Sequence, residues 1–182
     1  LLAPPSYLST YYYFATSSQA LTTSAALGNT YVRVGPWLVT SALSISRFNA
    51  EITSAGEAGS TFRIGVWASD GAGGAPGTLM SDAGTVAGDG ATGVKEITLG
   101  APLVLEPGLY WIGGAIQNAP VTVPTMRCVS TPIGPGGPIT TSIPAAGTTL
   151  NGYLDTQAGA FTDITGYSGS SQPPARIGFK VA

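Results

Sequence analysis

The sequence predicts an all-β fold: an antiparallel β-sandwich of jelly-roll type with an extended N-terminal arm. Three observations carry that reading. First, 26 glycines and 14 prolines among 182 residues punctuate the chain too often for long helices, and no stretch holds a capped 3.6-residue apolar period. Second, short runs with a two-residue apolar period recur between turn clusters. Third, Pro107-Gly108 opens into Leu109-Tyr110-Trp111-Ile112-Gly113, a strand apolar on both faces. Because side chains alternate along a strand, both of its faces must be covered, by a sheet, by an arm of the chain or by a neighbouring subunit.

The elements follow in order. Residues 1–30 hold Pro4-Pro5, the cluster Tyr11-Tyr12-Tyr13-Phe14 and a Ser/Thr/Ala-rich stretch, and read as an arm or linker that docks its rings on something. Residues 31–182 read as the sandwich. Its first strand is expected over Tyr31–Leu38. Leu43 to Ile52 alternates through Leu43 and Ile45, then resumes one residue late at Phe48, Ala50 and Ile52, which predicts a bulge near Ser46-Arg47. Thr61–Ala68 puts Phe62, Ile64, Val66 and Ala68 inward. Trp67 shares the outward parity of Arg63, so a cover over that face is expected. After the turn chemistry of Asp70–Gly77, strands are expected at Leu79–Val86, Val94–Leu99 and Gly108–Gln117. Residues 118–150, with six prolines, read as an irregular insertion, with shorter strands at Thr125–Val129, Thr149–Leu154 and Phe161–Thr165. The closing strand, Arg176–Val181, turns Ile177, Phe179 and Val181 inward and Arg176 and Lys180 outward.

Composition narrows the function. Charged residues make up 9% of the chain, against about 25% in ordinary soluble domains. Its polar surface is therefore Ser, Thr, Asn, Gln and bare backbone, suited to an assembly or to neutral polar ligands such as glycans. The net charge is -2 and the seven basic residues stand singly, so no stripe of positive charge exists to hold nucleic acid. No apolar run is long enough for membrane insertion, and Pro4 and Pro5 interrupt any signal-like start. A start at Leu1 fits a processed product or an excised domain. Cys128, the single cysteine, reads as a small buried hydrophobe.

The chain has no histidine, which removes Ser-His-Asp and Cys-His catalysis and histidine metal sites. The nine acids, Glu51 and Glu96 among them, fall mostly in turns or on solvent faces, so solvated acids are expected rather than a glycosidase pair. No calcium-loop spacing surrounds Asp70 or Asp89, and the glycines after Asp70 lack the Gly-Lys-Ser/Thr of a phosphate loop. No metal, cofactor or catalytic residue is expected, and the chain reads as non-enzymatic. What remains is recognition by exposed rings and small polar groups. Tyr153 and Asp155 in Asn151–Asp155, and Tyr167 in Gly166–Gly169, are the ligand-binding candidates; capping of the sandwich edge is the alternative role for these tyrosines. The oligomer-interface candidates are Tyr11, Tyr12, Tyr13, Phe14, Trp67, Tyr110 and Ile112.

Three segments in order carry a resemblance: Phe62-Arg63-Ile64-Gly65-Val66-Trp67, Ala75-Pro76-Gly77-Thr78-Leu79, and Leu105-Glu106-Pro107-Gly108-Leu109-Tyr110-Trp111-Ile112. Together, over about residues 31–117, they resemble C-terminal domains of minor tail proteins of tailed bacteriophages, especially those infecting actinobacteria. The resemblance implies a β-sandwich, often homotrimeric, displayed on an extracellular virion after assembly in the host cytoplasm. It also implies contact with other virion proteins and with the host surface, and supplies no catalytic residues. The expected function is a tail or fibre tip domain adhering to a host-surface glycan through loops at one end of the sandwich. The alternatives are a capsid or head-fibre decoration protein and a carbohydrate-binding module of a secreted hydrolase.

Overall fold

A computed structural model of the chain describes residues 7–9, 11–15, 21–129, 152–170 and 173–182. The strands are β1 (Tyr12–Phe14), β2 (Leu21–Ala26), β3 (Tyr31–Val39), β4 (Leu43–Ser54), β5 (Thr61–Ala68), β6 (Leu79–Ala87), β7 (Gly93–Leu105), β8 (Gly108–Gln117), β9 (Thr125–Val129), β10 (Gly152–Thr156), β11 (Ser168–Ser170) and β12 (Gly178–Val181). A single 3-10 turn, Ala72–Gly74, is the one helical element among the described residues. All strand pairs are antiparallel, in two six-stranded sheets. The front sheet runs β1-β12-β4-β9-β2, with β7 on the other side of β4; the back sheet runs β11-β10-β3-β8-β5-β6. From β3 to β5, and from β6 to β10, the chain changes sheet at every step, so the sandwich is stitched through sequence-distant pairs.

The alternation read from the sequence sets which side chains enter the core. Phe48, Ala50 and Ile52 of β4, Phe62, Ile64 and Val66 of β5, Ile112 and Ile116 of β8, and Phe179 of β12 meet between the sheets. The bulge is present in the pairing of β4 with β12, where Arg47 stands opposite Lys180 and Ile45 opposite Val181, leaving Ser46 as the extra residue. Ser46 fills it, its hydroxyl donating to the carbonyls of Lys180 (3.3 Å) and Val181 (3.1 Å).

Strand β8 is covered on both faces, and the second cover is the chain itself. Trp67, Trp111, Ala115, Phe161 and Ile164 form a second buried cluster outside the back sheet. The Trp67 indole donates to the Thr162 carbonyl (2.9 Å) and that of Trp111 to the Gly74 carbonyl (3.0 Å), so both loops are pinned by the rings they shield. Phe161 lies 5.1 Å from the Trp67 ring, and Gly65 makes room for it. Phe161–Thr165 is therefore an irregular cover rather than the expected strand: Phe161 and Ile164, three residues apart, both point at the sheet.

Other boundaries differ. β7 runs on to Leu105 because β4 continues to pair with it past the bulge, Leu43 opposite Leu105. β10 ends two residues later than expected, and positions 149–151 lie outside the described residues, as do 130–148 of the insertion. The described parts of residues 1–30 are not a free arm. β1 pairs with β12, and β2 pairs with β9. Tyr13 turns inward beside Tyr7 (4.8 Å) and Phe179 (5.7 Å), and Phe179 in turn lies 5.1 Å from Trp37. Cys128 is buried, and burial pushes its thiol up to about 11.

Candidate functional site

The outer face of the front sheet carries a cleft of about 490 Å³ lined by Tyr12, Phe14, Asn49, Glu51, Val94, Glu96 and Arg176. Register explains the gathering. Phe14, Gly178, Asn49 and Glu96 stand in one cross-strand row over β1, β12, β4 and β7. The flanking row is Tyr12, Lys180, Arg47 and Thr98, and Glu51 stands opposite Val94. The bulge matters here, because it puts Arg47, Asn49 and Glu51 outward while Phe48, Ala50 and Ile52 stay in the core. Four of the seven basic residues, Arg47, Arg127, Arg176 and Lys180, meet on this face.

Both carboxylates are held by defined partners. Arg127 grips Glu51 through two hydrogen bonds, Nε to Oε2 (3.1 Å) and Nη2 to Oε1 (2.9 Å), and Arg176 Nη2 adds a third at 3.1 Å. Arg47 donates to Glu96 Oε1 (2.6 Å), and the Tyr12 hydroxyl reaches over the groove to Glu96 Oε2. The Arg127 hydrogen bonds hold Glu51 below its ordinary range against the opposing effect of desolvation. The Tyr12 hydroxyl, then Arg47, does the same for Glu96, and the Glu96 hydrogen bond raises Tyr12. The rings are braced by the chain's own cations: the Arg176 guanidinium lies 4.4 Å from the Phe14 ring centre and the Lys180 ammonium 5.5 Å from that of Tyr12. Gly178 lies alongside the Asn49 amide, where a Cβ would come within 2.4 Å of Asn49 Oδ1.

Glu51 and Glu96 are diagonal neighbours across β4 and β7, a placement that in antiparallel sheets separates residues by about 7–8 Å. A glycosidase pair needs one acid whose pKa is raised, and both of these are lowered. Among the described residues, no group of three or more His, Cys, Asp or Glu side chains is placed to hold a metal ion.

A second, shallower concavity of about 330 Å³ is lined by Leu154, Asp155, Thr156, Gly166, Tyr167 and Ser168. It brings together two of the three residues expected to bind ligand, Asp155 and Tyr167. Asp155, however, is engaged in its own turn, accepting from Thr156 N (2.7 Å) and Gln157 Nε2 (2.9 Å). The Tyr167 hydroxyl donates to the Ala72 carbonyl (3.3 Å) and ties two loops together. Tyr153 pairs through its backbone with Val34 and Gly169, and its side chain lies outside the described residues.

The residues expected at an oligomer interface separate into three groups. Trp67 and Ile112 are buried inside the chain, under Phe161 and in the sandwich core, so they offer no surface. Tyr13 and Tyr110 are half-buried against the core, the latter with its hydroxyl on the Glu106 carbonyl (2.9 Å). Tyr11, Tyr12 and Phe14 are exposed, and the last two wall the cleft. Sequence reasoning missed Asn49, Glu51, Glu96 and Gly178. Alternation after the bulge marks Asn49 and Glu51 as outward, but only strand pairing places Glu96, Gly178 and Phe14 beside them. No protein-family model matches the chain, and no curated protein matches its sequence.

Proposed function

We propose that this chain is a non-enzymatic virion component, a tail or fibre tip domain that adheres to a glycan on the host surface through the front-sheet cleft. The observation that carries the reading is the cleft's chemistry: two exposed rings flank an amide and two carboxylates that their partners keep ionised. A site of this kind orients hydroxyl groups and stacks on a sugar face, and holds no carboxylic acid ready to protonate a leaving group. The low charge of the chain and the tail-protein resemblance of residues 31–117 support placement on a particle. A homotrimer fits the exposed apolar side chains Leu8, Tyr11, Leu38 and Val104, and three copies would turn weak single-site binding into firm attachment.

The test is adhesion of fluorescently labelled protein to actinobacterial cells, with light scattering on the same sample. Binding that saturates, falls at least tenfold in Asn49→Ala, and comes from a particle near three times 18.3 kDa supports the reading. A trimer that binds no cell surface turns the assignment to a capsid or head-fibre decoration protein. A monomer that binds soluble polysaccharide turns it to a carbohydrate-binding module.

A further inference from the structure

We infer that the front-sheet cleft takes a neutral, hydroxyl-rich sugar ring and discriminates against acidic sugars; this rests on the adhesion reading above and names its ligand class. The hydrogen-bonding capacity left in the cleft is the first argument. An ionised carboxylate offers about four acceptor positions. Glu51 uses three of them on Arg127 and Arg176, and Glu96 uses two on Arg47 and the Tyr12 hydroxyl. Both retain room for an O–H donor. Among the described residues the Asn49 side chain has no hydrogen-bond partner, so it offers two N–H donors and a carbonyl oxygen to a ligand. Vicinal hydroxyls, each both donor and acceptor, match that set.

Charge is the second argument. The ionisable groups lining the cleft that carry charge at neutral pH are Glu51, Glu96 and Arg176, one net negative charge. Arg176 is already committed to Glu51 and to the Phe14 ring, and Lys180 stands outside the lining over the Tyr12 ring, so an incoming carboxylate or sulfate would face the two ionised acids first.

Shape is the third. The volume lies within the about 300–1,000 Å³ typical of small-molecule sites. Phe14 is 55% exposed and supplies an apolar wall for the C–H face of a pyranose. Gly178 keeps the space over the Asn49 amide open, since a Cβ there would press on the amide oxygen.

The experiment is ligand-observed NMR and calorimetry on the whole chain with methyl glucoside, methyl mannoside, methyl galactoside, glucuronate and N-acetylneuraminate at physiological salt. At least one neutral pyranoside is expected to bind in the millimolar range, at least tenfold tighter than either acidic sugar. Asn49→Ala and Gly178→Ala should each weaken it at least fivefold, while amide spectra and Tm report an intact fold. The inference is overturned if an acidic sugar binds more tightly, if neutral binding is unmoved by both substitutions, or if no neutral pyranoside binds. The two readings fail separately. Cell adhesion that is lost in Asn49→Ala but competed only by a uronate sinks the ligand class and leaves adhesion standing. Neutral sugar in the cleft with no cell adhesion sinks adhesion alone.

Discussion

At Gly65 the fold tolerates no side chain. A Cβ there would come within 2.6 Å of both Phe161 Cδ2 and Trp67 Cη2, so Gly65→Ala forces a ring to move in a packed cluster. The expected cost is about 1–3 kcal/mol, the usual range for overpacking, read as a lower denaturation midpoint. In Phe161→Ala the same substitution should cost distinctly less, because one obstructing ring is gone and the Trp67 ring can shift into the space it leaves. Glu51 gives the second residue-scale prediction. Its pKa is lower in the folded chain than in the unfolded one, so its arginine partners stabilise the fold at pH values above the unfolded pKa of about 4.3. That contribution is lost as pH falls through the lower, folded pKa. Glu51→Gln should therefore lower Tm at pH 7, and the gap to the unsubstituted chain should narrow as the pH is taken from 7 down to 3. A Tm gap that is the same at both pH values would show that the pair does not act through ionisation.

Element by element, strand β4 shows what a linear reading can and cannot reach. The phase slip from Ile45 to Phe48 is written in the sequence because the core accepts only apolar side chains, and the bulge at Ser46 is its structural expression. Ser46→Ala removes the hydroxyl that serves the Lys180 and Val181 carbonyls and should cost about 1 kcal/mol in denaturant unfolding. Deleting Ser46 is a different perturbation. Without it Leu43, Ile45, Phe48, Ala50 and Ile52 alternate unbroken on the core face with Arg47, Asn49 and Glu51 outward, so the deletion variant is expected to fold, and loss of the cooperative unfolding transition would show that the bulge itself is required. Tyr110–Ile112 was equally legible as doubly covered, since neither face is polar, although the sequence does not reveal that loops of the same chain supply the second cover. Phe161–Thr165 misled, because two apolar residues three apart serve a draped loop as well as a strand. The cleft lay beyond reach for a plainer reason: Phe14, Gly178, Asn49 and Glu96 span more than 160 positions and meet only through the order β1-β12-β4-β7.

For the molecule as a whole, the aromatic run at 11–14 joins fold, cleft and assembly in neighbouring residues. Tyr13 faces the core beside Phe179, Tyr12 and Phe14 wall the cleft, and Tyr11 stands 59% exposed beyond the edge of the front sheet. β1 is an edge strand, and a short edge with exposed rings suits contact with another copy. Deleting the whole segment would confound the three roles, whereas single substitutions separate them. Tyr13→Ala strips a half-buried ring from Tyr7 and Phe179 and should lower Tm by several degrees. Tyr11→Ala touches neither core nor cleft, so circular dichroism and sugar binding should stay as they are. If the run also seals a trimer, light scattering of Tyr11→Ala should shift from near three times 18.3 kDa toward 18.3 kDa as the protein is diluted. An unchanged trimer would move the interface away from Tyr11 and toward the other exposed apolar side chains, Leu38 on β3 and Val104 on β7.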